Sequence, residues 1–199
     1  PPAFDAEAQA RWAALLAPYY AETGLAPAAA QTAAGRAPFD ATMCEAVEDI
    51  RPAVVSFHFG LPAPALLARV KATGAQVWSS ATTVAEARWL EERGCDAIIA
   101  QGVEAGGHRG MFLTDDIASQ IGGIALTPMI VDAVKIPVIA SGGISDARGI
   151  AAAFMLGASG AQIGTAYLAT PESTASAIHR AALRDAANNE TRLTNVFSG

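Results

Sequence analysis

A glycine-rich loop that contains a histidine is the part of this sequence best suited to chemistry. Residues 101–110 include four glycines and one imidazole, His108, with Glu104 and Arg109 nearby. The apolar run 95–100 before them predicts a short buried strand. Glycine lets the main chain turn sharply and approach a ligand closely. We therefore predict that His108 is functional, and that Glu104 and Arg109 pair with each other or brace the loop.

Glycines and hydroxyl groups also follow the last two predicted strands. Ser141, Gly142 and Gly143 follow the first of these strands, and Gly164 and Thr165 follow the second. In (β/α) barrels, the loops after strands seven and eight commonly hold a phosphate through backbone N–H groups. The glycines would let the main chain close on an anion, and the hydroxyls would donate to it. The alternative is that the glycines only make tight turns, but two such loops in adjacent units favour a phosphate site.

A phosphate site beside the histidine loop suggests a phosphorylated cofactor over the carboxyl ends of the strands. Flavin mononucleotide (FMN) fits, with its phosphate at Gly143 and Gly164 and its ring facing Gln101 and His108. The side-chain amide of Gln101 can donate to or accept from the polar edge of the ring. Spacing alone does not distinguish FMN from a sugar phosphate.

His58 is a second candidate, at the end of the predicted strand 52–60. It is either a polar group of the substrate pocket or a packed residue at the strand end. We retain it as a substrate-binding candidate beside His108.

The elements that position these residues alternate between strand and helix. The predicted strands cover 52–60, 75–80, 95–100, 136–143 (with its turn) and 160–167. The predicted helices cover 5–22, 41–49, 63–73, 84–93, 128–134, 146–156 and 172–187. Because each strand is apolar throughout, the pattern is typical of a parallel sheet covered by helices, an α/β fold.

Short strand–helix units favour a (β/α)8 TIM barrel over a doubly wound sheet. No Gly-x-Gly-x-x-Gly dinucleotide motif occurs at a first strand. A complete barrel needs eight strands and about 250 residues, whereas this chain has 199. We therefore predict one partial barrel domain over 1–199, with about five βα units that correspond to strands four to eight.

Composition excludes several classes of protein. The formal charge of −6 and the pI near 5.0 argue against a nucleic-acid surface. The apolar runs are too short and too interrupted to span a membrane, and the start of the sequence does not resemble a signal peptide. Cys44 and Cys95 lie in no Cys-x-x-Cys pattern and have no histidine at metal-ligand spacing. We expect reduced structural thiols, no metal site and a cytoplasmic location.

Four segments in order resemble motifs of the nitronate monooxygenase family, formerly called 2-nitropropane dioxygenase. They are Val-Ser-Phe-His-Phe-Gly at 55–60, Ala-Gln-Gly-Val-Glu-Ala-Gly-Gly-His-Arg-Gly at 100–110, Ile-Ala-Ser-Gly-Gly-Ile at 139–144 and Gln-Ile-Gly-Thr at 162–165. The resemblance implies an FMN-containing TIM barrel that oxidises alkyl nitronates with dioxygen to a carbonyl compound and nitrite. It implies His108 as the active-site histidine. The FMN contacts that it implies are Gln101, Gly106, Gly143, Gln162, Ile163, Gly164 and Thr165.

The sequence also departs from that family. A Gln-x-Pro-Met-type segment that supports the flavin ring is missing, and the end at Gly199 is short. We expect a fragment that lacks the N-terminal strands and the C-terminal end, with open sheet edges that favour pairing with another chain and so a homo-oligomer. Two alternatives stay open. Flavin-dependent enoyl-acyl-carrier-protein reductases share the Glu-Ala-Gly-Gly-His stretch and consume a reduced nicotinamide, and an inactive flavin- or phosphate-binding fragment would have no activity.

Overall fold

Five parallel strands form one sheet in which neighbouring strands follow the order of the chain. A computed structural model describes residues 5–25, 38–185 and 191–194. The strands are β1 (Val54–Phe57), β2 (Gln76–Ala81), β3 (Ala97–Gln101), β4 (Val138–Ser141) and β5 (Gly160–Gln162). Successive strands of a (β/α)8 barrel are neighbours, whereas a doubly wound sheet reverses its order. The α/β prediction with five strand–helix units is therefore confirmed.

Two helices precede β1 and one or more follow each strand, and five of the seven helices that the structure describes end within one residue of the predicted position. They are α1 (Ala6–Thr23), α2 (Ala41–Ile50), α3 (Pro64–Ala72), α4 (Val84–Glu92), α5 (Gly123–Val131), α6 (Ala147–Met155) and α7 (Ala177–Arg184), with 3-10 turns at Ile117–Ser119 and Thr165–Ala169. The side chain of Thr83 accepts a hydrogen bond from the Glu86 N–H at the start of α4, as an N-cap does. Gly94, with a φ of 84°, follows its end. Within the described ranges, no helix has the length and hydropathy needed to cross a bilayer.

Several predicted boundaries were wrong, and the first strand covers 54–57 instead of 52–60, so that His58 follows it. The last strand stops at Gln162 instead of 167, because the chain turns at Gly164 into the 3-10 turn. The tail helix begins only at Ala177, where Ser176 caps it, and its predicted last residues, 186–187, lie outside the described residues. α5 begins at Gly123 instead of 128, with Pro128 inside the helix. A carboxylate from another loop caps this start, which local sequence does not reveal.

The two faces of the sheet carry different side chains. One face packs against the helices, with buried Val77, Ile98, Ala100, Val138, Leu90, Leu126 and Ile130 in a single cluster. Ala97, Ile99 and Ile139 form a smaller cluster with Trp78 on the opposite face. Strand register places Gln101, Ser141 and Gln162 side by side, one layer above Ile99 and Ile139 on that second face. A polar layer therefore lies at the carboxyl ends of β3, β4 and β5.

Both cysteines are buried and unpaired, as predicted. The Cys95 thiol donates to the carbonyl oxygens of Ala97 at 3.2 Å and Val77 at 3.3 Å. Burial raises the pKa of Cys95 to about 11. This thiol is therefore neutral and inert at physiological pH.

Candidate active site

An open cavity lies at the carboxyl ends of β3, β4 and β5, on the side of the polar layer. Its volume is about 660 Å³, within the range of about 300–1,000 Å³ typical of small-molecule sites. Every predicted cofactor residue except Ile163 lines it. These residues are Gln101, Gly106, Ser141, Gly142, Gly143, Gln162, Gly164 and Thr165. The structure therefore brings together segments that are up to 64 positions apart in the chain.

Close packing of glycines joins the loops around this cavity. Gly142 has a φ of 107°, and a Cβ placed there would lie 2.8 Å from the Ala105 nitrogen. A Cβ at Gly143, with a φ of 69°, would lie 3.2 Å from the Cβ of Glu104. A Cβ at Gly106 would lie 3.3 Å from the Thr165 hydroxyl oxygen. Glycine is needed at position 142 in particular, because both its backbone conformation and its space exclude a side chain.

Carboxylates of the chain itself cap the two helices next to the cavity. The Glu104 carboxylate accepts hydrogen bonds from the Gly123 N–H at 2.9 and 3.1 Å, at the start of α5. The Asp146 side chain accepts from the N–H groups of Arg148 and Gly149 at the start of α6. An anion in the cavity would therefore be held by loop N–H groups more than by these helix ends. Arg184 lines the same cavity and adds a positive charge.

Gln101 connects the cavity to the histidine loop. Its Nε2 donates to the His108 carbonyl oxygen at 2.9 Å, and its Oε1 accepts from the Gly110 N–H at 2.7 Å. The amide that we predicted to contact a flavin ring therefore also fixes the loop. A glutamine amide has two N–H groups, and the bond to His108 uses one of them. The other N–H is available for a flavin, and that contact stays a prediction.

The imidazole of His108 is exposed and does not line the cavity. Its ring lies at the edge of the Phe59 ring, with centroids 6.1 Å apart and planes at 87°. Phe59 adopts a φ of 65°, a conformation that a non-glycine residue rarely takes outside constrained sites. His108 therefore lies beside the cavity, next to the lining residue Gly107.

His58 uses both ring nitrogens within the protein. Its Nε2 lies 3.1 Å from the His108 carbonyl oxygen, and its Nδ1 lies 3.0 Å from the Ser80 hydroxyl oxygen. A carbonyl oxygen only accepts, so Nε2 carries the proton and the Ser80 hydroxyl donates to Nδ1. Burial lowers the pKa of His58, against the raising effect of its bond to His108, and the nearby charges of His108 and Arg109 lower it further. The ring is therefore neutral near pH 7.

Arg109 braces the loop, as one of the two predicted alternatives has it. Its guanidinium donates to the carbonyl oxygens of Gly102 at 2.7 Å, Val103 at 2.9 Å and Ala105 at 3.3 Å. Burial lowers the pKa of Arg109, and the charge of Glu104 raises it. An arginine that holds three carbonyl oxygens of one loop fixes the shape of that loop.

Sequence reasoning missed Glu86, which holds the segment after the loop. The carboxylate is fully buried and accepts from the Thr82 N–H and hydroxyl, at 2.7 and 2.8 Å. Its other oxygen accepts from the N–H groups of Phe112 at 2.7 Å and Leu113 at 3.2 Å. The Thr-x-x-Glu pattern at Thr83 is typical of a capping box. A capping box accounts for Glu86 by contacts within its own helix, so the pattern gives no sign of its bonds to Phe112 and Leu113.

Comparison with known proteins agrees with this geometry. A family model described as Nitronate monooxygenase matches residues 4–199. A nitronate monooxygenase of Paraburkholderia phytofirmans is 41% identical over 196 residues, which are 98% of this chain and 54% of that protein. One from Pseudomonas aeruginosa is 45% identical over 160 residues, which are 80% of this chain and 46% of that protein. The chain thus spans about half the length of the curated relatives it matches.

Solved structures give the same result. A nitroalkane oxidase from Streptomyces ansochromogenes superimposes with a TM-score of 0.87 at 40% identity, over 98% of this chain and 56% of that one. FabK from Thermotoga maritima superimposes with a TM-score of 0.63 at 33% identity, over 74% of this chain and 44% of that one.

Proposed function

Since the chain belongs to the nitronate monooxygenase family, we propose that the protein oxidises alkyl nitronates with dioxygen to a carbonyl compound and nitrite, using FMN. The observation that carries this proposal is the cavity itself, where predicted cofactor residues from three loops converge beside His108. The similarity to a nitroalkane oxidase supports a substrate of the same chemical class.

The cavity fits a flavin phosphate in its donors and in its shape. Gly142 and Gly143 turn with positive φ, and Gly164 has no atom within 4 Å of a Cβ placed on it, so the main chain there is open to a ligand. Ser141 and Thr165 supply hydroxyl donors in the same cavity. Gln101 and Gln162 would face the ring from the polar layer. FMN, when bound, supplies the redox chemistry, and the protein positions and shields it.

His108 would handle the proton and the charge of the substrate. A neutral imidazole can take the α-proton of a nitroalkane, and a protonated one can hold the oxygens of a nitronate. The edge of the Phe59 ring beside it gives the site an apolar wall. The loop that carries His108 is fixed by Gln101 and Arg109, so the imidazole starts from a defined backbone position.

The test is an assay in air with FMN and propionate 3-nitronate, without nicotinamide. The proposal predicts that FMN binds, that nitrite is released, and that His108→Ala lowers the release by about tenfold to a hundredfold. His179→Ala is the matched control, since His179 is an exposed histidine on α7. If turnover required NADH or NADPH, the enoyl-reductase alternative would replace this proposal. If FMN did not bind, the chain would be an inactive fragment.

A further inference from the structure

We propose that His58 is a positioning residue that holds the His108 peptide in place and does not contact the substrate. This inference rests on the proposed function for its link to catalysis, but its structural part stands without it. It replaces the substrate-binding role that the sequence suggests for His58.

One carbonyl oxygen receives two donors from different strands. The His108 oxygen accepts from the Gln101 amide, at the end of β3, and from the His58 ring, just after β1. The carbonyl belongs to the same residue as the imidazole. Two donors from different directions fix the peptide plane, and this sets the point from which the His108 side chain leaves the main chain.

The His108 carbonyl fixes which nitrogen of His58 carries the proton, and Ser80 bonds to the other nitrogen. The serine hydroxyl lies on β2, 3.0 Å from Nδ1, and it donates because Nε2 must donate to the carbonyl. With Nδ1 protonated instead, Nε2 would present a lone pair to the carbonyl oxygen and repel it. Ser80 thus satisfies the unprotonated nitrogen of His58 from β2, the strand that lies between β1 and β3.

Steric contact closes the arrangement. A Cβ at Gly110 would lie 2.7 Å from the His58 Cε1 and 3.1 Å from the Ser80 Cβ. The Phe59 ring, which contacts the His108 ring, also packs against His58, with the two ring centroids 4.5 Å apart. Both ring nitrogens of His58 are therefore engaged by the protein, which leaves no ring nitrogen for a substrate.

Three variants of His58 distinguish positioning from substrate contact. A glutamine amide nitrogen reaches about the place of Nε2, whereas an asparagine amide nitrogen reaches only the place of Nδ1. We expect His58→Ala and His58→Asn to lower kcat by about tenfold to a hundredfold with KM almost unchanged, because a small misplacement of a catalytic group has that effect. His58→Gln should restore most of kcat. An increase in KM at unchanged kcat would overturn the proposal.

A second experiment needs neither flavin nor nitronate, so failure of the proposed function would not affect it. In the wild-type protein, ¹⁵N NMR of the His58 ring should show a proton on Nε2. The Gly110 amide, which donates to Gln101, should exchange slowly with solvent. His58→Ala should speed that exchange, and Ser80→Ala should leave the ring proton on Nε2, because the His108 carbonyl oxygen can only accept. Ser79→Ala is the control, because that hydroxyl donates to the Gly60 carbonyl and not to His58. Unchanged exchange in His58→Ala would contradict the positioning role.

Discussion

The cofactor cavity and the histidine loop lie side by side but are built in opposite ways. Glycines from three loops line the cavity at β3 to β5, and their missing side chains create space and tight turns. The histidine loop is held by side chains, namely Gln101, His58, Arg109 and Glu86, which each bond to its backbone or to the segment after it. The cavity is open because side chains are absent there, and the loop keeps its shape because side chains are present. Substitutions in the cavity should therefore mainly lower FMN affinity, whereas substitutions in the loop should mainly lower turnover.

The largest effect is expected from His108→Ala in the loop. The α-proton of propionate 3-nitronate is already lost, so His108 acts on this substrate by holding its charged oxygens. A hydrogen bond to a charged group contributes about 1.5–3 kcal/mol, so nitrite release should fall by about tenfold to a hundredfold. FMN affinity should stay the same, because His108 does not line the cavity. Fluorescence titration of FMN, alongside the nitrite assay, checks both parts. Loss of FMN binding in this variant would mean that the two regions do not act separately.

Gly142→Ala is the matching change in the cavity. The new Cβ would lie 2.8 Å from the Ala105 nitrogen at a φ of 107°, so the β4 loop must move away from the histidine loop. We expect FMN affinity to fall at least about tenfold, equivalent to about 1.4 kcal/mol, and stability to fall by about 1–3 kcal/mol. Gly74→Ala is the control, because Gly74 also has a positive φ, 87°, but has no atom within 4 Å of an added Cβ. If both variants lost FMN equally, the clash would not be the cause.

Glu86→Gln tests the anchor behind the loop. The glutamine keeps the shape, but its NH2 group must face either the Thr82 donors or the Phe112 and Leu113 N–H groups. Donors that face donors in a buried site cost about 1–3 kcal/mol. Urea unfolding should show that loss, with a smaller fall in nitrite release than His108→Ala gives. Glu92→Gln, an exposed position on the same helix, should leave stability unchanged.

The smallest effect is a pH dependence from Cys95, far from both regions. Burial raises the pKa of this thiol from 9.0 to about 11 in the folded protein. A raised thiol pKa favours the protonated folded form, so the stabilisation is complete below pH 9 and is lost as the pH rises towards 11. The free energy of unfolding should therefore decline across that window in the wild type and decline less in Cys95→Ala.

The residues of the cavity could be predicted from the sequence, whereas the side chains that hold the histidine loop could not, and the reason is physical. Glycines next to hydroxyls at strand ends are local signals, and the register of parallel strands then brings Gln101, Ser141 and Gln162 into one layer. The supports of the loop are pairs of residues far apart in the chain, such as His58 with Ser80 or Glu86 with Phe112. No periodicity or spacing marks such pairs.

The start of α5 gives the same lesson. Pro128 predicts a helix start at that position, but the helix begins five residues earlier, because the Glu104 carboxylate satisfies the Gly123 N–H. A carboxylate from the histidine loop thus decides where a helix begins. Motifs identify the residues of a site. The contacts made in the folded chain then decide which of these residues can reach a ligand and which bond to each other.

The most direct test of the central claim is the absorbance of bound FMN after propionate 3-nitronate is added under nitrogen, without nicotinamide. The wild-type protein should bleach the flavin bands, and His108→Ala with the same amount of bound FMN should bleach them at least about tenfold more slowly, because the hydrogen bond to the charged nitronate is lost. Equal bleaching in the two proteins would remove His108 from the chemistry. Bleaching only after addition of NADH or NADPH would contradict nitronate oxidation as the function of this site.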